Sequence, residues 1–178
     1  MEVSNAKLKA IILFFAHNTN KRYLGKVKLM KLMYFMDFKH VKNYGKPVTY
    51  DTYVKLDYGP VPSLIKNLVD DTAGGYETVL TDTISFESPK GTAMEKVIPK
   101  RQFTEADKKL FSPTELEVLS NVCARFKDAT TKEIVDESHK EAPWKEVELY
   151  KEIPYTLAAH DKDCNVSEEA IDLLSNLV

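Results

Sequence analysis

The chain has 178 residues, 43% of them hydrophobic and 29% charged, with a net charge of -2. That is the make-up of one soluble globular domain with a real core, and it excludes a global drive toward nucleic acid or an anionic membrane. Two cysteines, Cys123 and Cys164, stand far apart and in no metal-ligand spacing, so both are expected as reduced thiols, Cys123 in the core and Cys164 in a polar turn.

The elements follow in chain order. Ser4 or Asn5 caps a first helix on which Leu8, Ile11, Ile12 and Phe15 share one face, and His17-Asn18-Thr19-Asn20 ends it. Its apolar run, Ala10 to Ala16, is too short to span a bilayer and lacks a cleavage region of small residues. The expected setting is therefore the cytoplasm, without membrane contact. The next stretch, KLMKLMYFMDFKHVK from Lys28 to Lys42, leaves almost no polar side and predicts the central buried helix, running from about Gly25 to a left-handed cap at Gly45. At about 100° per residue, Lys28, Lys31, Lys39 and Lys42 fall on one stripe with Phe35 among them, while Asp37 falls opposite, between Met30, Met33 and Val41. The stripe is expected to face water or a partner. Asp37 is expected to be buried and to tie the helix to tyrosine hydroxyls or to backbone amides near Gly59.

Lys46 to Leu56 reads as an irregular extended segment, with a helical turn near Asp51 as a further feature. Tyr58-Gly59-Pro60-Val61-Pro62 reads as a rigid loop entering a helix that runs to about Asp71, with Pro62 in its first turn. Thr78 to Phe86 and Glu95 to Phe103 read as two strands of a hairpin, the second an edge because of Pro99. Ser112-Pro113-Thr114-Glu115 and Thr130-Thr131-Lys132-Glu133 are capping boxes. Pro143-Trp144 starts another helix, with Trp144 as half-buried packing. Ser167 caps a last helix carrying Ile171, Leu174 and Leu177 or Val178. The expected fold is mainly α (α+β): one domain over 1–178 around a central buried helix, with a small antiparallel β-hairpin.

No chemistry of turnover can be named. There is no glycine-rich phosphate loop, no GxSxG, no HExxH and no paired CxxC. Asp37 and His40, about 60° apart on the wheel, with His139 and Glu141, make an imaginable metal set, but no third ligand follows at helical spacing. No catalytic residue, metal or cofactor is therefore assigned. The lysine stripe with Lys7, Lys9, Lys21 and Arg22 could touch phosphates. Against that, the overall charge is negative, and the would-be recognition helix after Thr130 carries Glu133, Asp136 and Glu137.

Three stretches together carry a resemblance. Lys31-Leu32-Met33-Tyr34-Phe35-Met36-Asp37, followed by His40 and Tyr44-Gly45-Lys46-Pro47-Val48-Thr49, is similar to the signature of the Panacea domain, the SocA-like antitoxin family also found in phage-associated proteins. Asp51-Thr52-Tyr53 with Tyr58-Gly59-Pro60-Val61-Pro62 continues it, and Ser138-His139-Lys140-Glu141-Ala142-Pro143-Trp144 resembles its C-terminal element. The match runs from about residue 8 to residue 150. The hairpin at 78–103 departs from it, as an insertion where partner choice could lie. The resemblance implies a mainly helical bacterial or phage antitoxin that is not an enzyme. It would neutralise a cognate toxin, encoded beside it, by direct contact. It further implies that Lys31, Leu32, Tyr34, Phe35, Asp37, His40, Gly45, Asp51, Tyr53, Tyr58, Gly59, Pro60, His139 and Trp144 hold the scaffold. Lys28, Lys39, Lys42, Val61 and Pro62 are the expected partner-binding residues. Two alternatives stand beside the antitoxin: an adaptor that delivers a partner to a protease, and a DNA-binding regulator.

Overall fold

In the computed structural model, which describes residues 3–176, the core is built around one helix. The first helix, α1 (Asn5–Asn18), is capped by the Ser4 hydroxyl, which accepts from the Lys7 amide at 3.3 Å. The central helix, α2 (Lys26–Tyr44), follows a Gly25 cap and is built from leucine, methionine and lysine, whose unbranched stems lose little freedom in a helix. It stops at Gly45, where φ is +78° and the amide bonds back to Val41 O at 2.8 Å. Every residue from Lys28 to Phe38 is buried. The apolar ones each contribute about 1.5–3 kcal/mol on leaving water, which makes α2 the axis of the core.

Strands β1 (Tyr53–Leu56) and β2 (Gly59–Pro62) form a tight antiparallel hairpin, pairing Tyr53 with Pro62 and Leu56 with Gly59. A short β5 (Glu152–Ile153) adds to the other edge of β1, giving the order β2-β1-β5. The expected irregular segment is therefore part strand, and the expected loop 58–62 is a turn followed by an edge strand. Pro60 and Pro62 have no N–H to offer, which an edge strand tolerates. Helix α3 (Ser63–Ala73) begins after Pro62, which is its extended cap and not a first-turn residue.

The second hairpin, β3 (Ile84–Glu87) with β4 (Lys96–Pro99), is as expected in kind but shorter. Residues 78–83 turn instead of extending, because Thr78 and Thr81 bond to nearby backbone: the Thr81 hydroxyl accepts from the Thr78 amide at 2.8 Å and the Thr78 hydroxyl from the Leu80 amide at 3.0 Å. A bridge between Gly25 and Lys96 ties this hairpin to the start of α2.

The last third is helical: α4 (Glu105–Lys108), α5 (Pro113–Phe126), α6 (Thr131–Ser138), α7 (Ala142–Lys145), a 3-10 helix (Tyr155–His160) and α8 (Glu168–Asn176). Both expected capping boxes form, and a third opens α4 through Thr104 and Asp107. Helix α2 lies against α5, against α6 with β2, and against the 3-10 helix. Cys123 is buried and Cys164 half-buried, both free thiols. Of the apolar residues expected on the last helix, Leu177 and Val178 lie outside the described residues. The expected mainly α fold with a small antiparallel sheet is what the chain adopts.

Candidate functional site

The motif residues converge on the polar contacts of α2, and three clusters account for most of them. In the first, Asp37 is fully buried, and its carboxylate closes the turn that follows α2. Oδ1 accepts from the Val48 amide at 2.7 Å and the Thr49 amide at 2.9 Å, while Oδ2 accepts from the Tyr53 hydroxyl at 2.8 Å and from the Thr49 hydroxyl. A tyrosine is among the donors as expected. The amides, however, belong to Val48 and Thr49 and not to the Gly59 region. Burial pushes the Asp37 carboxyl up to about 6, against the pull of the Thr49, Tyr53 and Val48 bonds. Nearby, the carboxylate of Asp51 caps α3, accepting from the Leu64 amide at 3.1 Å and the Ile65 amide at 2.9 Å. His40 bonds Lys46 O at 2.6 Å through Nδ1 and the Thr114 hydroxyl at 3.2 Å through Nε2, joining α2 to the start of α5.

The second cluster surrounds Lys31, which is fully buried and donates to Pro60 O at 2.7 Å. Burial holds its ammonium down to about 7. Gly59 makes room for it: φ there is +94°, and a Cβ would stand 2.6 Å from Ser138 Oγ and 2.8 Å from Lys31 Cε. Beside it His139 stacks on Trp144 with centroids 3.7 Å apart, and the Lys55 ammonium lies 4.2 Å from the Trp144 ring. The His139 Nε2 atom is buried and has no partner among the described residues. Its imidazole is held below its ordinary range by burial and then by the Lys31 and Lys55 charges.

Two predictions follow from this cluster. Gly59→Ala should lower stability by about 2–4 kcal/mol, from backbone strain plus the clash with Ser138 and Lys31, read as a shift in denaturant midpoint. Lys31 has its folded pKa below its unfolded one, so its contribution to stability is present at high pH and is lost as pH falls from about 10.5 toward about 7. Between pH 7 and 9, wild type should therefore gain stability relative to Lys31→Met, at a slope approaching about 1.4 kcal/mol per pH unit. A flat difference over that range would contradict the buried-lysine account.

The third cluster is a charged knot. Lys42, only 2% exposed, lies 3.0 Å from Glu141 Oε1, 2.9 Å from Asp161 Oδ2 and 3.0 Å from Asp163 Oδ1. Burial alone would lower the Lys42 pKa, but Glu141, Asp161 and Asp163 outweigh it and hold the ammonium above its ordinary range. The Tyr34 hydroxyl donates to Glu141 Oε2 at 2.8 Å, and the Glu141 carboxyl is pushed up by burial against the pull of Lys42 and Tyr34. The knot thus joins α2 to α7 and to the segment before α8.

These contacts correct several expectations. Lys28, Lys31 and Lys42 form no exposed stripe: all three are buried, and Lys28 donates to Ala129 O at 2.6 Å and Lys127 O at 3.2 Å, beside the C-terminal end of α5. Of the stripe, only Lys39 stays partly exposed, paired with Asp163 at 3.2 Å. Val61 and Pro62, expected among the partner-binding residues, are buried in β2. Tyr58, counted with the scaffold, is 73% exposed at the β1–β2 turn. Trp144 is half-buried, as expected. The imagined metal set is dispersed, since Asp37, His40, His139 and Glu141 each go to different neighbours. No group of three or more His, Cys, Asp or Glu placed to hold a metal occurs among the described residues. The reading of residues missed Thr49, Asp161 and Asp163. The closely spaced acids of Asp161-Lys162-Asp163 were the one available signal of a buried cation.

No helix among the described residues is long and apolar enough to cross a membrane. Neither a curated protein nor a solved structure matches the chain. A family model described as the antitoxin SocA-like, Panacea domain matches residues 29–145, well over half the chain, from the body of α2 through Trp144. With the motif residues forming the contacts just described, the chain belongs to the SocA-like, Panacea-domain antitoxin family.

Proposed function

We propose that this protein is the antitoxin of a toxin–antitoxin pair, acting in the cytoplasm by binding its cognate toxin directly and catalysing no reaction. The observation that carries this reading is where the family's polar side chains go. Lys31, Tyr34, Asp37, His40 and Asp51 all bond to other parts of the same chain. Side chains whose bonds are internal in this way make a frame, and a frame of this kind leaves recognition to the outer surface. The burial of Lys28, Lys31 and Lys42 also removes most of the basic stripe on which DNA binding would rest.

The test is co-expression with the product of the adjacent gene. The expected result is rescue of growth and a stoichiometric complex that survives gel filtration. Absence of both would overturn the reading. Rescue that requires a protease and removes the toxin, with no stable complex, would replace it with the adaptor role.

A further inference from the structure

One cavity lies between α2 and α5, lined by apolar and charged side chains. Its floor is apolar: the rings of Phe35 on α2 and Phe126 on α5 pack with centroids 4.4 Å apart, and Val122 lies beside them. The Arg125 guanidinium stands over both rings, 5.1 Å from the Phe35 centroid and 4.6 Å from that of Phe126. The cavity holds about 170 Å³. An engineered apolar cavity of about 150 Å³ takes up a benzene ring, so there is space here for one Phe- or Leu-sized side chain.

The charged wall decides what accompanies that side chain. Lys39, Lys42 and Arg125 face Glu141 and Asp163 around the cavity. Each carboxylate oxygen there already has one partner: Glu141 accepts from Lys42 and Tyr34, and Asp163 lies against Lys42 and Lys39, which leaves each oxygen about one further lone pair. Lys42 lies within 3.0 Å of one oxygen on each of its three acids. Lys39 has one partner, Asp163, for three N–H donors, and Arg125 has one, Glu137 at 2.8 Å, for five. Glu137 and Asp161, which answer part of the positive charge, do not line the cavity. The lining thus sets Lys39, Lys42 and Arg125 against only Glu141 and Asp163, with more N–H groups than lone pairs left unused, and the exposed Asn121 amide on α5 can give or accept.

From this geometry we infer that the Phe35–Phe126 cavity is an anchor site for a protein segment carrying one aromatic or branched apolar side chain next to carboxylates. On the antitoxin reading, on which this part rests, the segment belongs to the toxin. The apolar side chain enters between Phe35, Val122 and Phe126, and the adjoining carboxylates meet the free N–H groups of Lys39 and Arg125.

The experiment titrates the full-length protein with blocked peptides and follows amide resonances. Acetyl-Gly-Phe-Asp-Asp-amide should shift Val122, Arg125 and Phe126 and bind at least about tenfold more tightly than peptides with Lys-Lys after Phe or with Ala in place of Phe. Asn121→Trp, which plugs the mouth from an exposed position, and Lys39→Gln, which removes the charge without adding a carboxylate beside Asp163, should each weaken it at least about tenfold with a melting temperature close to that of wild type. Equal binding of the three peptides, or undiminished binding by both variants, overturns the site. Binding of 3-phenylpropionate as tight as that of the peptide overturns the protein-segment assignment in favour of a small aromatic acid. In the co-expression assay, Asn121→Trp should lose rescue while wild type retains it. Retained rescue overturns the toxin assignment and leaves the antitoxin reading intact, whereas failure of wild type to rescue counts against that reading and leaves the peptide result to decide the cavity.

Discussion

Asp37→Ala is expected to cost about 3–5 kcal/mol of folding stability, a large fraction of the about 5–15 kcal/mol that a domain of ordinary stability has. The carboxylate accepts from two backbone amides and two hydroxyls in a place without access to water. Alanine would leave all of these donors buried and unpaired, and the turn at 48–49 would lose what holds it to α2. Asp37→Asn keeps the oxygen that meets the Val48 and Thr49 amides, and the two hydroxyls can rotate to suit an amide, so it should cost about 1–2 kcal/mol. The pH dependence separates the two states further. A carboxyl raised from 3.8 to about 6 binds its proton more tightly in the folded protein. Its contribution is therefore present below pH 4 and is lost as pH rises through 6, and Asp37→Asn should remove that part of the slope. Urea titrations of wild type and both variants between pH 4 and 7 measure all three effects. An Asp37→Ala protein as stable as wild type would sink the structural role assigned to this residue.

Lys42→Met is the second large effect, expected at about 3–5 kcal/mol near neutral pH. The substitution is close in volume, so packing changes little. What remains is Glu141 with only the Tyr34 hydroxyl, beside Asp161 and Asp163, three carboxylates drawn together around a cation that is gone. Like charges in a half-buried site raise one another's pKa, so the variant should take up protons on folding and recover stability as pH falls from 7 to 5. Denaturation at both pH values tests the sign. A Lys42→Met protein of normal stability that failed to bind toxin would restore Lys42 as a contact residue, the role first expected of it.

The lysine stripe shows why part of this was illegible. A helical wheel places Lys28, Lys31, Lys39 and Lys42 on one side, and a row of lysines ordinarily marks the side in water. A lysine can instead bury its whole stem if something meets the ammonium. Here the acceptors are Ala129 O, Pro60 O and Glu141, supplied by chain 29 to 101 residues away. No periodicity within α2 carries information about those partners. The same holds for Asp51, whose capping role needs α3 to begin beside it.

Local chemistry by itself determined the helices and their ends: the central buried α2, the glycine that stops it, the serine and threonine boxes that start α5 and α6, and the interior position of Asp37. These depend on residues within a turn or two of one another, where propensity and hydrogen bonding act directly. The motif stretches were legible for a similar reason, since each is short and contiguous. Only the tertiary structure decided which lysines are inside, that Val61 and Pro62 are a buried edge, that the strands of the second hairpin are shorter, and that Phe35 and Phe126 leave a cavity lined also by Lys39 and Arg125. Burial of a charge depends on whether a distant segment brings a counter-group, and a cavity depends on how two separate helices pack. Both are properties of neighbours that the chain acquires on folding.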